Sequence, residues 1–143
     1  MIALSHLIFG LAVGKILDLR IGTVMIFSVL PDIDRIFTFA YPIVRNGFTH
    51  SVLVGLGLGV IAYVISERSS TAKSALTGHL SHLSLDLLCF RGIAVLYPAT
   101  GFYSVGVFSE TSFLGNLSVL SVSLILIVFE SYTEVLDWIK KFS

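Results

Sequence analysis

Residues 49–66 and 112–129 contain no Lys, Arg, Asp or Glu. A run of that kind approaches the roughly 20 mainly apolar residues needed to cross a bilayer's hydrocarbon layer, so both are read as spanning helices. The rest of the chain agrees. Only 13% of the 143 residues are charged, 55% are hydrophobic, and the mean hydropathy is +0.95. Soluble domains carry about 25% charged residues, and half that leaves too little polar surface to cover a water-soluble fold. Nine Lys+Arg balance nine Asp+Glu, so no basic field exists for nucleic acid and no nucleic-acid partner is expected. The single cysteine, Cys89, excludes an internal disulfide. The first residues lack a cationic segment and a small-x-small cleavage site, so no removable signal peptide is expected.

These features predict an all-α fold: a polytopic transmembrane helix bundle of about five membrane helices, forming one integral-membrane domain over residues 1–143. The helices are expected at 2–17, 21–30, 49–66, 76–90 and 112–129. Residues 31–48 hold the breakers Pro31, Pro42 and Gly47 and read as irregular. Residues 67–75 read as a solvated loop. Residues 91–111 are Gly- and aromatic-rich and suit an interfacial re-entrant segment, with Tyr97, Phe102, Tyr103 and Phe108 as an aromatic belt. Residues 130–143 read as a short amphipathic helix carrying Trp138, Lys140 and Lys141 at the interface. In the run of glycines at 55, 57 and 59, Gly55 and Gly59 form a small-xxx-small surface for close helix packing, without the strand–turn–helix setting of a nucleotide loop.

Walking this topology sorts the cations. Lys15, Arg20, Arg68, Lys73, Lys140 and Lys141 fall on one face, and Arg35, Arg45 and Arg91 on the other. The richer face is expected to be cytoplasmic. The same walk, without further assumption, brings His6, Asp32, Asp34, His50 and Asp86 to the opposite, non-cytoplasmic face.

All four histidines and three of the five aspartates lie in or beside apolar segments, where ionisable groups are costly and usually pair or do work. On a helix, His79, His82 and Asp86 share one stripe, because residues three, four and seven apart recur on one face. Taken alone, His82 and Asp86 serve equally as two ligands of one metal or as an interhelical hydrogen bond. In Leu30-Pro31-Asp32-Ile33-Asp34, the proline ends the preceding helix. An extended chain there points both carboxylates the same way, attractive to a hard cation, while the motif taken alone reads somewhat better as a solvated turn at the membrane surface. In Gly47-Phe48-Thr49-His50-Ser51, Thr49 or Ser51 can cap the following helix. Jointly, three imidazoles and three carboxylates at one membrane face point to a divalent metal ion. Mixed His/Asp ligation suits zinc, manganese or iron, as one ion or two.

The pattern resembles the YdjM-like family of membrane-bound metal-dependent hydrolases, some of them LexA-regulated. The resemblance is carried by Ser5-His6-Leu7, Leu30-Pro31-Asp32-Ile33-Asp34, Gly47-Phe48-Thr49-His50-Ser51, Leu80-Ser81-His82-Leu83 through Asp86-Leu87-Leu88, and Gly92 leading to Leu96-Tyr97-Pro98. It implies a metal site of Asp32, Asp34, His50, His82 and Asp86, joined by His6. Two positions depart from the family pattern. Arg45-Asn46-Gly47 stands where members commonly carry His-Arg-Gly, and His79 where members can carry an aromatic.

Hydrolysis by such a site needs a proton carrier, for which His79 and His6 are the candidates because imidazole titrates near neutrality. Arg35, Arg45 and Arg91 are candidate substrate-binding residues, able to grip a phosphate or to anchor at lipid headgroups. A polar site walled by apolar helices favours an amphiphilic phosphate or ester such as a membrane lipid. A metal-ion or proton transporter, or a non-catalytic structural membrane protein, would use the same residues differently. A transporter would continue the polar path across the membrane, whereas residues 51–65 and 113–129 read as offering only hydroxyls. Oligomeric state is left open.

Overall fold

The computed structural model describes residues 1–34, 47–99 and 101–141. Among these, five α-helices carry the fold: α1 (Ala3–Ile16), α2 (Ile21–Phe27), α3 (Val52–Ser66), α4 (Ser69–Leu87) and α5 (Phe113–Lys140). Two 3-10 turns, Leu30–Ile33 and Phe48–His50, follow α2 and precede α3. Helix α4 is central. It packs against α1, α2 and α3, while α5 lies along α1. Among the described residues only two isolated bridges, Cys89 with Phe108 and Ile93 with Tyr103, add to the helices.

The exterior is apolar and the interior polar, the reverse of a soluble domain. Buried positions include Ser5, His6, Asp34, His50, Ser51, His79, His82, Asp86, Asn116 and Ser123, whereas Leu53, Val60, Val64 and Ile65 on α3 and Phe113, Ile125, Val128 and Phe129 on α5 are exposed. Such a surface matches lipid on the outside, where polar groups must find partners within the protein. Of the described helices, α5 alone is long and apolar enough to cross a bilayer unaided, with a mean hydropathy of 2.0 in its apolar stretch. Its 28 residues extend about 42 Å at 1.5 Å per residue. Helix α1 has 14 residues, α2 only 7 and α3 15, so α1 and α3 reach about 21–23 Å and α2 about 10 Å.

Close helix crossings are made by glycines. A Cβ on Gly78 of α4 would lie 2.4 Å from the Val24 carbonyl oxygen of α2, and one on Gly10 of α1 would lie 2.5 Å from Ser28 Oγ. Gly55 faces the His79 ring and Gly59 faces Ala72 and Leu76 of α4, the close packing expected for that pair. Gly57 has open space.

Three boundaries differ from expectation. The stretch 67–75 is no loop: the chain turns at Glu67, with φ +53°, and α4 begins at Ser69. Its small residues Ala72, Ser74 and Ala75 are contact surface, and Ser74 and Ala75 are buried. The tail is not a separate helix either, because no glycine or proline lies between residues 116 and 141 to stop α5. Asp32 and Asp34 leave a 3-10 turn rather than an extended strand, with Pro31 near its start, since a fixed proline φ suits the first helical turn. Phe108, expected in the aromatic belt, turns inward beside Met1, Leu85 and Cys89, whereas Tyr97, Phe102 and Tyr103 are exposed.

If Gly78 is a contact point and Gly57 is not, their alanine variants part. Gly78→Ala should lose about 1–3 kcal/mol of stability from overpacking, and Gly57→Ala should stay within about 0.5 kcal/mol of wild type. Thermal unfolding in detergent micelles checks both.

Candidate metal centre

The centre forms where the C-terminal half of α4 meets the turns flanking α2 and α3. The periodicity of α4 presents His82 and Asp86 one turn apart, and His82 Nε2 lies 3.2 Å from Asp86 Oδ2. The Phe48–His50 turn delivers His50, whose Nε2 lies 3.3 Å from the same Asp86 Oδ2 and 3.2 Å from His82 Nε2. Both imidazoles and Asp86 are buried.

The outer nitrogens determine what the inner ones can do. His82 Nδ1 lies 2.8 Å from the Ser28 carbonyl oxygen. A carbonyl only accepts, so this Nδ1 carries the proton. His50 Nδ1 faces Asp34 Oδ2 at 3.3 Å and Thr49 Oγ1 at 3.0 Å. The Thr49 hydroxyl donates to Asp34 Oδ2 at 3.0 Å, so the His50 ring is again the donor. In their neutral forms both rings therefore turn Nε2 lone pairs toward each other and toward a carboxylate oxygen. Three acceptors at mutual distances of 3.2–3.3 Å repel unless a proton or a metal cation lies among them.

The spacing fits a metal. Ligand atoms about 2.0–2.1 Å from a tetrahedral ion stand about 3.3–3.4 Å from one another. Asp32 completes the group: one donor atom from each of Asp32, His50, His82 and Asp86 lies within 4.8 Å of the others. Metal-binding histidines almost always give their second ring N–H to a carboxylate or carbonyl, which orients the ring. Asp34 and the Ser28 carbonyl provide these two acceptors.

The remaining expected residues are placed as follows. Asp34 supports His50 from behind. His6 stacks on the His82 ring with centroids 3.9 Å apart, and its Nε2 lies 3.2 Å from Asp86 Oδ1. It thus meets Asp86 on the oxygen that the Met1 ammonium also contacts, at 2.9 Å. His79 Nε2 lies 2.9 Å from the Ser51 carbonyl oxygen, and the ring packs on Gly55, so it ties α4 to the start of α3. Ser51 caps α3 by accepting from the Val54 N–H, and Thr49, the other candidate cap, serves Asp34 instead. Arg91 is half exposed, with Nε 3.9 Å from Glu110 Oε1. Arg35 and Arg45 lie outside the described residues.

Three contributors escaped the sequence reading. The Ser28 acceptor is backbone, which no residue type announces. Thr49 looked like a cap. Asn116 lies in a run read as offering only hydroxyls, yet its carboxamide is buried and bonds to α1.

A helical bundle with an apolar exterior and a buried His/Asp group able to hold a metal ion defines the class: a membrane protein with a candidate cation centre. The sequence profile of the YdjM inner membrane protein family matches residues 1–139, and the chain belongs to that family. This agrees with the resemblance carried by the motifs. Among curated proteins and solved structures, none matches the chain.

If the centre binds a divalent ion, His50→Ala and His82→Ala should abolish high-affinity binding. Asp34→Ala should weaken it about 10–100-fold, the usual effect of removing an outer partner. Ser28→Ala should change it little, because the acceptor is the main-chain carbonyl. Zinc titration of the purified protein against a competing chelator measures all four.

Proposed function

We propose that the chain is a membrane-bound metal-dependent hydrolase acting on an amphiphilic phosphate or ester, such as a lipid. The observation that supports this most is the convergence of two imidazole Nε2 atoms and Asp86 Oδ2 at 3.2–3.3 Å, with both Nδ1 positions already committed. Asp32, His50, His82 and Asp86 would hold zinc, manganese or iron. A divalent ion there would supply Lewis acidity toward a substrate oxygen and lower the pKa of water.

The chain's own residues have distinct tasks in this reading. Asp34 and the Ser28 carbonyl orient the two imidazoles. His6 steadies Asp86 through Oδ1 and is the candidate to carry a proton. His79, engaged with the Ser51 carbonyl, is assigned to helix packing. Arg91 is the described candidate for gripping an anionic headgroup, with Glu110 as its competitor. The apolar exterior favours a substrate that arrives from the bilayer.

The site would face away from the cytoplasm. Arg20 Nη1 bonds Thr71 Oγ1 at 2.9 Å, and Lys15 Nζ bonds Ser131 Oγ at 3.0 Å. These contacts hold Lys15 and Arg20 beside the C-terminal half of α5 and the first turn of α4, and the positive-inside bias supports that end as the cytoplasmic one.

In a release assay across phospholipids and lipid phosphates in mixed micelles, wild type should hydrolyse one class. Asp86→Asn should reduce turnover at least about 100-fold, since it removes the carboxylate that both imidazoles face. Chelation should do the same, with recovery on adding the ion. Hydrolysis indifferent to both would defeat the proposal. A thiol-reactive, membrane-impermeant label should reach Lys73→Cys only from the cytoplasmic side.

A further inference from the structure

We infer that Asn116 of α5 is a positioning residue for the metal centre, setting the first turn of α1 so that His6 meets Asp86. This rests on the metal-site reading above. Helix α1 starts without a side-chain cap of its own: Ile2 occupies the N-cap position and makes no such bond. Helix starts leave N–H groups that a short polar side chain normally satisfies. Here the cap comes from another helix. Asn116 Oδ1 accepts from the Ile2 N–H at 3.1 Å and from the Ser5 hydroxyl at 2.7 Å. Its Nδ2 donates to the Ser112 carbonyl at 2.8 Å and the Glu110 carbonyl at 3.3 Å. The oxygen faces two donors and the nitrogen two acceptors, which leaves one orientation for the carboxamide.

The consequence reaches the centre through two covalent links. Ile2 follows Met1, whose ammonium lies 2.9 Å from Asp86 Oδ1. Ser5 precedes His6, whose ring lies on His82 and whose Nε2 lies 3.2 Å from Asp86 Oδ1. The carboxamide thereby fixes the first turn of α1 against α5, and with it the place from which His6 reaches Asp86. Within apolar surroundings water cannot take over the freed Ile2 N–H, so loss of Asn116 should let this turn shift. Leucine at 116 retains bulk and helix propensity while removing all four hydrogen bonds.

The test combines affinity with a metal-free readout. Asn116→Leu should weaken zinc binding about tenfold, at the low end of outer-partner effects, and Ser5→Ala should weaken it by a smaller factor. In a His6→Ala background, Asn116→Leu should add a clearly smaller loss than in wild type, because the residue acts mainly through His6 and only the Met1 contact with Asp86 remains. In the metal-free protein labelled with 15N-histidine, the His6 ring resonances should move in Asn116→Leu while those of His79 stay. An undiminished loss in the His6→Ala background, or unmoved His6 resonances, would overturn the inference. If wild type binds no zinc, the metal reading falls, and the 15N comparison still decides the role of Asn116. Should Asn116→Leu fail to fold, Ser5→Ala carries both readouts.

Discussion

Two imidazole nitrogens face each other across 3.2 Å with a carboxylate oxygen beside them, and the surrounding structure is arranged so that neither can turn away. His82 is held by the Ser28 carbonyl, His50 by Asp34 and Thr49. In the neutral rings the inner nitrogens are consequently acceptors, and acceptors held at that distance in a buried site repel unless a proton or a metal cation joins them. The spacing equals the edge of a small tetrahedral coordination shell, which is what favours the metal. Asp86 is the hinge of the arrangement. One oxygen meets His50 and His82, the other meets His6 and the Met1 ammonium.

Holding such a group in a bundle with an apolar exterior explains features that would be odd in a soluble protein. Hydrophobic burial cannot drive helices together when the surroundings are as apolar as the side chains, so close backbone contact and internal hydrogen bonds take its place. Gly10, Gly55 and Gly78 allow that approach. Buried Ser74 and Ser81 bond carbonyls of their own helix, and the Ser5, His79 and Asn116 side chains each cross to another segment. The glycines thus decide whether α2, α3 and α4 come near enough for residues distant in sequence to share one point.

Much of this was legible in the residues. His82 and Asp86 are four apart, and helical periodicity alone places them together. The topology walk brought His50, Asp34 and His6 to the same end because charge-free runs mark helix positions well. What was not legible depended on neighbours that residue spacing does not name. Asp34 became a support for His50 because the chain at Leu30–Ile33 coils into a 3-10 turn. His79 lies on the same stripe as His82 yet bonds the Ser51 carbonyl, since the helix opposite presents Gly55 there. Asn116 was hidden because a search for charges passes over an amide. The small polar residues after Glu67 resemble a solvated loop by composition, and only packing reveals them as a helix surface.

X-ray absorption spectroscopy of the protein purified with its bound metal addresses the shared cation most directly. Scattering from two imidazoles at about 2.0–2.1 Å, completed by oxygen ligands and reduced to one imidazole in His82→Ala, is the predicted result. A protein that takes up no divalent ion, or one whose bound ion has no imidazole neighbour, would contradict the account.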